Sequence, residues 1–471
     1  MKLETNLPVA VIGAGPVGLA AAAHLIARGL TPIVFERGAS VGASLLEWGH
    51  VRVFSPWQYN IDSAAKALLE AAGWDAPEPT GLPTGRELVE RYLAPLAALP
   101  VLAPTIRLSA RVTAITRLGL DKVSNRNRES APFELRWVDA DGSEQASVVR
   151  AVIDASGTWA RPNPMGVDGL PVLGERAAAE FIDYGIPDIL GTAQEKFADR
   201  TVLVVGSGHS AINTALALLK LQEQAPETRV LWALRRNRLE RLLGGGLNDQ
   251  LPERGALGLA AKQAIDAGRL QVLAPFAANR LAPADGRLAV IGTLNQTELT
   301  LMVDRIVVAT GFRPDLEMLS ELRVAVDPAT EAPPALSPLI DPNFHSCGTV
   351  PPHGVVELTQ PEANFYIIGS KSYGRAPTFL MATGFEQARS VVAELAGDSV
   401  AAREVHLALP ETGVCSVSFA DDAVPATSCC GGPAQSTTSC CVADEVAKAE
   451  GEAGCGCGAT ARTTLSTIAL T

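Results

Sequence analysis

The stretch Val9 to Leu19, VAVIGAGPVGL, constrains this chain more than any other. Its apolar residues read as a strand, Gly13, Gly15 and Gly18 as a tight turn, and the AAAHLIARGL that follows as a helix. Such a unit leaves unpaired N–H groups and a partial positive charge at the helix N-terminus, facing a gap that only glycines can open. It is built to hold a pyrophosphate. The next predicted strand, TPIVFERG, ends at Glu36, where a carboxylate can accept both hydroxyls of an adenosine ribose. Strand, glycine turn, helix, strand and acid in that order predict a bound dinucleotide.

The pattern returns at RTVLVVGSGHSAINTALALLKLQ, with Gly206 and Gly208 in the turn and Ala211 in the third, helix-packing position. The following strand, TRVLWALRRNRLER, ends in Arg235 and Arg236, with Arg238 beyond, rather than in an acid. Guanidinium forks there suit a 2′-phosphate, so the second unit is read as an NADPH site. A solvated basic turn is the alternative. GGGLNDQLPERGALG then reads as a loop over the bound nucleotide.

With 471 residues the chain exceeds one ordinary core and suits two or three domains. A formal charge of −12, from 39 basic and 51 acidic residues, argues against nucleic acid and anionic membranes as partners. The one charge-free apolar run of membrane-spanning length, Thr5 to Ala27, is broken by Pro16 and the turn glycines. MKLETNLPVAVIG lacks a signal-peptide pattern, so a cytoplasmic, reducing location is expected. Of the eight cysteines only Cys347 precedes residue 415, which excludes a disulfide scaffold for the main body.

Between the two units, Ser40 to Ala65 is aperiodic and reads as a loop over the cofactor. Its Trp48, Trp57 and Tyr59 either wall a pocket or fill core. Thr84 and Glu87 have capping-box spacing and predict a helix start. RVTAITRL and PFELRWV read as strands joined through a polar turn, KVSNRNRESA. SVVRAVIDASG reads as one strand stopped by Gly157, and the proline-rich TWARPNPMGVDGLP after it as a domain exit. LTLMVDRIVVATGFRPD gives another strand, closing at Gly311. Ala332 to Pro352 is proline-rich and loop-like, ANFYIIG is a strand to Gly369, and Ala376 to Leu395 is helical. His24 and His406 have no partners at metal spacing and are read as structural.

Beyond about Glu411 the composition shifts to Ser, Thr, Ala, Gly and charge, and a largely disordered tail is expected. Its cysteines stand as Cys429-Cys430, Cys440-Cys441 and Cys455-Gly456-Cys457. Paired thiolates on a flexible segment can gather around one soft ion, and As(III), Cu(I), Zn(II) or Hg(II) would all suit. A redox-sensing or incidental role is the alternative.

The two glycine-turn units, the linker TWARPNPMGVDG and the return strand VVATGFRPD resemble the flavin-containing monooxygenases over roughly residues 5 to 400. WGHVRVFSPWQYN, GSGHSA, GSKSYGRAPTFL and the cysteine-paired tail are similar to a narrower group, the flavoproteins found among bacterial arsenic-resistance proteins. The resemblance implies an α/β fold of two Rossmann-like dinucleotide-binding domains, an FAD domain with an inserted NADPH domain, plus the disordered tail. The expected bounds are 1–165 and 309–405 for the FAD part, 166–308 for the NADPH part and 411–471 for the tail.

By that resemblance Gly13, Gly15, Gly18 and Glu36 hold FAD, Val112 meets the adenine through its backbone, and Gly369 approaches the flavin ring or ribityl chain; Pro16, Arg37, Trp48, Gly157 and Gly311 are further cofactor-binding candidates. Gly206, Gly208, His209, Ser210, Arg235 and Arg236 hold NADPH. Ser55, Gln58, Asn60 and Lys371 are candidate polar groups at the ring, with structural or surface roles as the alternative. One departure stands out: the family places a His after a Phe and a Gly before its second glycine turn, whereas VLGERAAAEFIDY keeps Gly174 but has Ala178 where that His would fall.

The implied chemistry is monooxygenation. NADPH reduces FAD, the reduced flavin captures dioxygen as a C4a-hydroperoxide, and a soft nucleophile (a trivalent arsenical, sulfur or an amine) takes an oxygen atom. The alternatives are an NADPH-dependent flavin reductase of metal ions, quinones or disulfides, and a non-enzymatic metal-binding or sensor role of the tail. Disulfide reductases of this architecture resemble it in carrying a cysteine pair near the flavin, yet neither Ser40 to Ala65 nor Val202 to Leu301 contains cysteine.

Overall fold

The computed structural model describes residues 7–237, 252–344, 350–377 and 379–407. The tail with its six paired cysteines, Arg238 and most of the loop after it lie outside the described residues, as do Cys347 and Cys415. Two parallel five-stranded sheets carry the fold. The first contains β1 (Val9–Ile12), β2 (Pro32–Phe35), β3 (Ile106–Arg107), β7 (Ala151–Asp154) and β16 (Phe365–Ile367), in the order β16-β7-β1-β2-β3. The second contains β8 (Ile182–Tyr184), β9 (Thr201–Val205), β10 (Arg229–Ala233), β11 (Gln271–Leu273) and β15 (Arg305–Val308), in the order β11-β10-β9-β15-β8. β16 returns to the first sheet after the second is complete, so the second α/β unit is inserted into the first.

In both sheets the strand order reverses beside the strand that opens a glycine turn: β1 has β2 on one side and β7 on the other, and β9 has β10 and β15. Open parallel sheets take their ligands at such switch points, outside the carboxyl ends of the strands. The helix α1 (Pro16–Ala27) follows the first turn and α2 (His209–Leu221) the second. α1 is built almost wholly of small and aliphatic residues and buries eight of them along with His24, because it lies between the sheet and a later helix, α3 (Met381–Leu395). Its one polar buried side chain, His24, is answered by Asp62 at 3.0 Å.

Several sequence expectations are refined. SVVRAVID is two strands, because β6 (Glu144–Val149) pairs antiparallel with β5 (Phe133–Val138) while β7 pairs parallel with β1. Arg150, whose N–H donates to the Pro8 carbonyl, turns the chain from one sheet to the other. LTLMVDRIVV divides likewise at Asp304, between β14 (Thr297–Val303) and β15, where the Asp304 N–H donates to Thr201 and its carboxylate accepts Thr201 N–H at 2.7 Å. Ser40 to Ala65 is not one loop, since it holds helical turns at Ala43–Glu47 and Trp57–Tyr59 and the start of the helix Ser63–Ala71. The helix expected from Ala376 begins at Met381, five residues later and beyond Pro377, and a short helix, Ser399–Arg403, follows it. The Thr84–Glu87 capping box is present with both of its hydrogen bonds, at 3.1 and 2.7 Å.

The polar segment around Arg128 is more than a solvated turn. Arg128 is buried and donates to Glu362 at 2.7 Å, while Arg117, on β4 (Arg111–Arg117), donates to the other oxygen of the same carboxylate at 2.7 Å. Arg117 also lies over the Phe133 ring. Burial pushes the Glu362 carboxyl up, but hydrogen bonds from Arg128, the Arg323 backbone N–H and Arg117 outweigh that and hold it below the usual carboxylate range.

Removing the carboxylate leaves two buried guanidiniums without their anion, so Glu362→Ala is expected to lower the unfolding free energy by about 3–5 kcal/mol in urea titrations at neutral pH. Because the folded pKa is depressed, the wild-type contribution is complete above the unfolded value and is lost as pH falls through the folded one. The gap between wild type and variant should therefore narrow on acidification.

Candidate active site

One cavity of about 850 Å³ is lined by residues of both α/β units. Gly13, Gly15 and Pro16 of the first turn face it, and so do His209, Ser210 and Asn213 of α2. The amino ends of α1 and α2 therefore open into a single space, each contributing N–H groups and the positive end of its dipole.

The first turn is shaped by contact. Gly13 has φ +98°, and a Cβ there would stand 2.8 Å from the Ala155 carbonyl that follows β7. A Cβ at Gly18 would fall 1.9 Å from the Gly13 carbonyl, so α1 can press against its own turn only without one. Gly15 differs, since a Cβ there meets nothing within 4 Å and would project into open space at the cavity. Gly208 at the start of α2 has the same open surroundings. Two turns that exclude side chains where nothing protein-made crowds them fit a diphosphate lying along the backbone.

Glu36 is buried at the end of β2 and accepts N–H groups from Ala14 at 2.8 Å and Gly38 at 2.8 Å. A carboxylate offers about four acceptor sites, so two remain for ligand hydroxyls. Glu36, Arg37, Trp48, Ser55, Val112, Gly157, Gly369 and Lys371 all line the cavity. Lys371 is one of the least exposed side chains in the chain; its Nζ donates to Asp154 Oδ2 at 2.6 Å and Ser156 Oγ at 3.1 Å. This pair joins the ends of β7 and β16 beside the first glycine turn.

Other sequence candidates stand elsewhere. Gln58 is exposed on the outside of the protein. Asn60 is buried, and its amide is used on the Ser55 and Pro56 carbonyls at 2.6 and 2.9 Å, while its Oδ1 accepts the Ser55 hydroxyl at 2.9 Å. These bonds close the local turn. Gly18 and Gly206 lie beneath their turns, Gly206 against the Ala309 carbonyl. Gly311 sits on the second crossover segment, where its carbonyl accepts Asn163 N–H. Arg235 and Arg236 follow β10; desolvation, then the neighbouring Arg236 and Arg375 cations, hold the Arg235 guanidinium below its ordinary pKa. Ala178, where a His was looked for, is buried in the apolar core under the second sheet.

Sequence reasoning passed over Asp154, although a carboxylate closing an otherwise apolar strand was the available signal. It also passed over Phe54, whose ring meets His209 edge-on at 5.2 Å, and Trp159, stacked on Phe312 at 4.5 Å and donating to Glu47 at 2.6 Å. Phe54, Trp159, Phe379 and Met381 give the cavity an apolar wall. Among the described residues that line it there is no cysteine. Among the described residues no group of three or more His, Cys, Asp or Glu side chains is arranged to hold a metal, and no helix is long and apolar enough to cross a membrane.

A family model described as pyridine nucleotide-disulphide oxidoreductase matches residues 7–332. The chain is 28% identical to a ferredoxin–NADP reductase of Lactiplantibacillus plantarum over 333 residues, 68% of this chain and 78% of that protein. It is 30% identical to the indole-3-pyruvate monooxygenase YUCCA1 of Oryza sativa over 224 residues, 46% of this chain and 47% of that one. Among solved structures it is similar to a bacillithiol disulfide reductase from Bacillus cereus, with TM-score 0.61 and 19% identity, covering 83% of this chain and 99% of that one. That last likeness is one of fold.

Glu36→Gln keeps one acceptor oxygen and places an NH2 against the other backbone N–H. The loss of a charge-assisted bond is expected to cost about 1.5–3 kcal/mol, read from the shift of the urea unfolding curve.

Proposed function

The chain belongs to the pyridine nucleotide-disulphide oxidoreductase family and is an FAD- and NAD(P)H-dependent oxidoreductase; from that premise we propose that it is an NADPH-consuming monooxygenase of a soft nucleophile, a trivalent arsenical, sulfur or an amine. The observation that carries the reading is the shared cavity: both helix amino ends open into it, so a nicotinamide and a flavin can meet there, and among the described residues that line it none carries a thiol to receive electrons as a disulfide reductase would require. The similarity to a plant monooxygenase supports the same direction.

In this reading residues 1–165 and 309–405 bind FAD and residues 166–308 bind NADPH. Gly13, Gly15 and the start of α1 hold the FAD pyrophosphate, Glu36 holds the adenosine ribose, and Gly369 and Lys371 stand along the wall nearest the reacting ring. Gly208, His209 and Ser210 hold the NADPH pyrophosphate, and Arg235 and Arg236 its 2′-phosphate. Bound FAD supplies the hydride acceptor and the site of dioxygen activation. What the chain contributes is orientation and exclusion of water: Phe54 and His209 pack where the two turns converge, and Trp159, Phe379 and Met381 close the apolar side. The cysteine pairs of the tail are read as carrying a soft metal or metalloid ion, in a role tied to arsenic resistance.

A second reading has one specific support, the alignment of two thirds of the chain with a ferredoxin–NADP reductase. In that case electrons leave for an external acceptor and dioxygen is not used productively.

NADPH oxidation in air should be stimulated by arsenite, a thioether or an amine, with one oxygen atom from ¹⁸O₂ found in the product. Oxidation that ignores all three, yields only hydrogen peroxide and is accelerated by ferredoxin or a quinone would sink the monooxygenase reading. Truncation at Glu411 should leave turnover of free substrate intact if the tail only delivers or sequesters the ion. Arg235→Ala together with Arg236→Ala should raise the KM for NADPH about 10- to 100-fold and leave that for NADH nearly unchanged, as expected for loss of charge-assisted phosphate contacts.

A further inference from the structure

The cavity wall at Gly369 belongs to a tight turn, Gly369–Tyr373, between β16 and α3. Behind that turn lies Gln387 of α3, fully buried. Its Oε1 accepts the Gly369 backbone N–H at 2.7 Å; its Nε2 donates to Ser372 Oγ at 2.9 Å and stands 2.9 Å from His353 Nε2. A backbone N–H only donates, so Oε1 must face Gly369 and the NH2 end must face His353. His353 Nε2 then accepts, and the ring proton sits on Nδ1, where it donates to the Pro351 carbonyl at 3.1 Å. One backbone donor thus dictates every role in the relay. The imidazole fits only as the neutral Nδ1–H tautomer.

His353 is itself held firmly. Gly354 packs so closely on α3 that a Cβ there would fall 2.4 Å from Ser390 Oγ, and the Val355 N–H donates to that hydroxyl at 2.8 Å. The ring of Tyr373 lies against the imidazole at 5.6 Å. The charged groups nearby are Glu357, from the short helix Val355–Leu358, and Glu386 of α3, which is tied to Arg389 at 2.7 Å. Burial lowers the His353 pKa, opposed by the Pro351 carbonyl, Glu357 and Glu386.

We propose that His353 is a positioning residue for the cofactor cavity: through the Gln387 amide it sets the direction of the Gly369 peptide, and only the neutral imidazole does so. The inference rests on reading that cavity as the FAD site. A proton on Nε2 would set two donors face to face. Gln387 would then have to turn its amide, presenting NH2 to the Gly369 N–H and leaving that buried donor without an acceptor. The wall the flavin leans on would lose its anchor.

The test uses the full-length holoprotein, with FAD release followed by flavin fluorescence between about pH 5 and 8 and the His353 ring followed by ¹⁵N NMR. In the wild type the FAD dissociation constant should rise about ten-fold as His353 takes up a proton, the equivalent of one buried hydrogen bond. His353→Asn supplies an amide oxygen that cannot titrate; it should bind FAD as the wild type does at high pH and lose the pH dependence. Gln387→Glu offers acceptors to both neighbours and should move the His353 titration upward. The proposal is overturned if His353→Asn and wild type share one pH profile for FAD release, or if Gln387→Glu leaves the His353 titration in place. A wild-type chain that binds no FAD at any pH overturns the cofactor reading, and this role with it.

Discussion

Everything at the site depends on backbone meeting backbone without a side chain between. Gly13 sits against the Ala155 carbonyl and Gly206 against the Ala309 carbonyl, where a Cβ would stand at 2.8 and 2.3 Å. Each contact joins the strand that opens a glycine turn to the strand on the far side of the sheet's reversal point. It therefore sets where the helix that follows must start and which way its free N–H groups look. The same contact is made in both sheets, and the helix that follows each one opens its amino end into the one cavity.

Charge buried near that cavity serves geometry more than stability. Lys371, in the turn after β16, and Asp154, at the end of β7, stand more than two hundred residues apart in sequence and meet at 2.6 Å, and Glu362 gathers Arg117 and Arg128 from two other segments. Burying ions is costly, and a well-packed apolar pair would hold the same strands about as firmly. What an ion pair adds is direction, since only one register of β16 against β7 lets Lys371 reach both Asp154 and Ser156. The turn from Gly369 to Tyr373 is thus held on one side by charge and on the other by the neutral His353–Gln387 relay.

The legible part of the fold was the part governed by local rules. The two glycine turns, the acid after β2 and the Thr84 capping box each depend on residues within one supersecondary unit, and those elements formed as the spacing implied. The single long strands expected at Ser147–Gly157 and at the LTLMVDRIVV run failed for a nonlocal reason. Arg150 and Asp304 redirect the chain because Pro8 and Thr201 offer them partners in another sheet. The polar turn KVSNRNRESA gave no sign of a buried Arg128 for the same reason, its partner lying 234 positions away. At the site, cavity walls built from Trp48 and the glycines could be read from motif position. Asp154, Phe54 and the His353–Gln387 relay could not, because each gains its role only from a neighbour that the fold supplies.

The two segments that carry the chain into and out of the second sheet run side by side: Pro162 bridges Phe312 in antiparallel fashion, Asn163 N–H donates to Gly311, and Arg313 N–H donates to Arg161. An insertion whose own folded form brings its ends together spares its host most of the loop-closure entropy that a flexible segment of that length would cost. The first unit can therefore be viewed as a nearly continuous chain with a detachable module spliced into one point. A short turn joining Pro162 to Phe312 would restore that continuity, and modules of other sizes could enter at the same joint without disturbing the sheet that carries β1. The tilted ring pair of Trp159 and Phe312, 4.5 Å apart, stands at that joint.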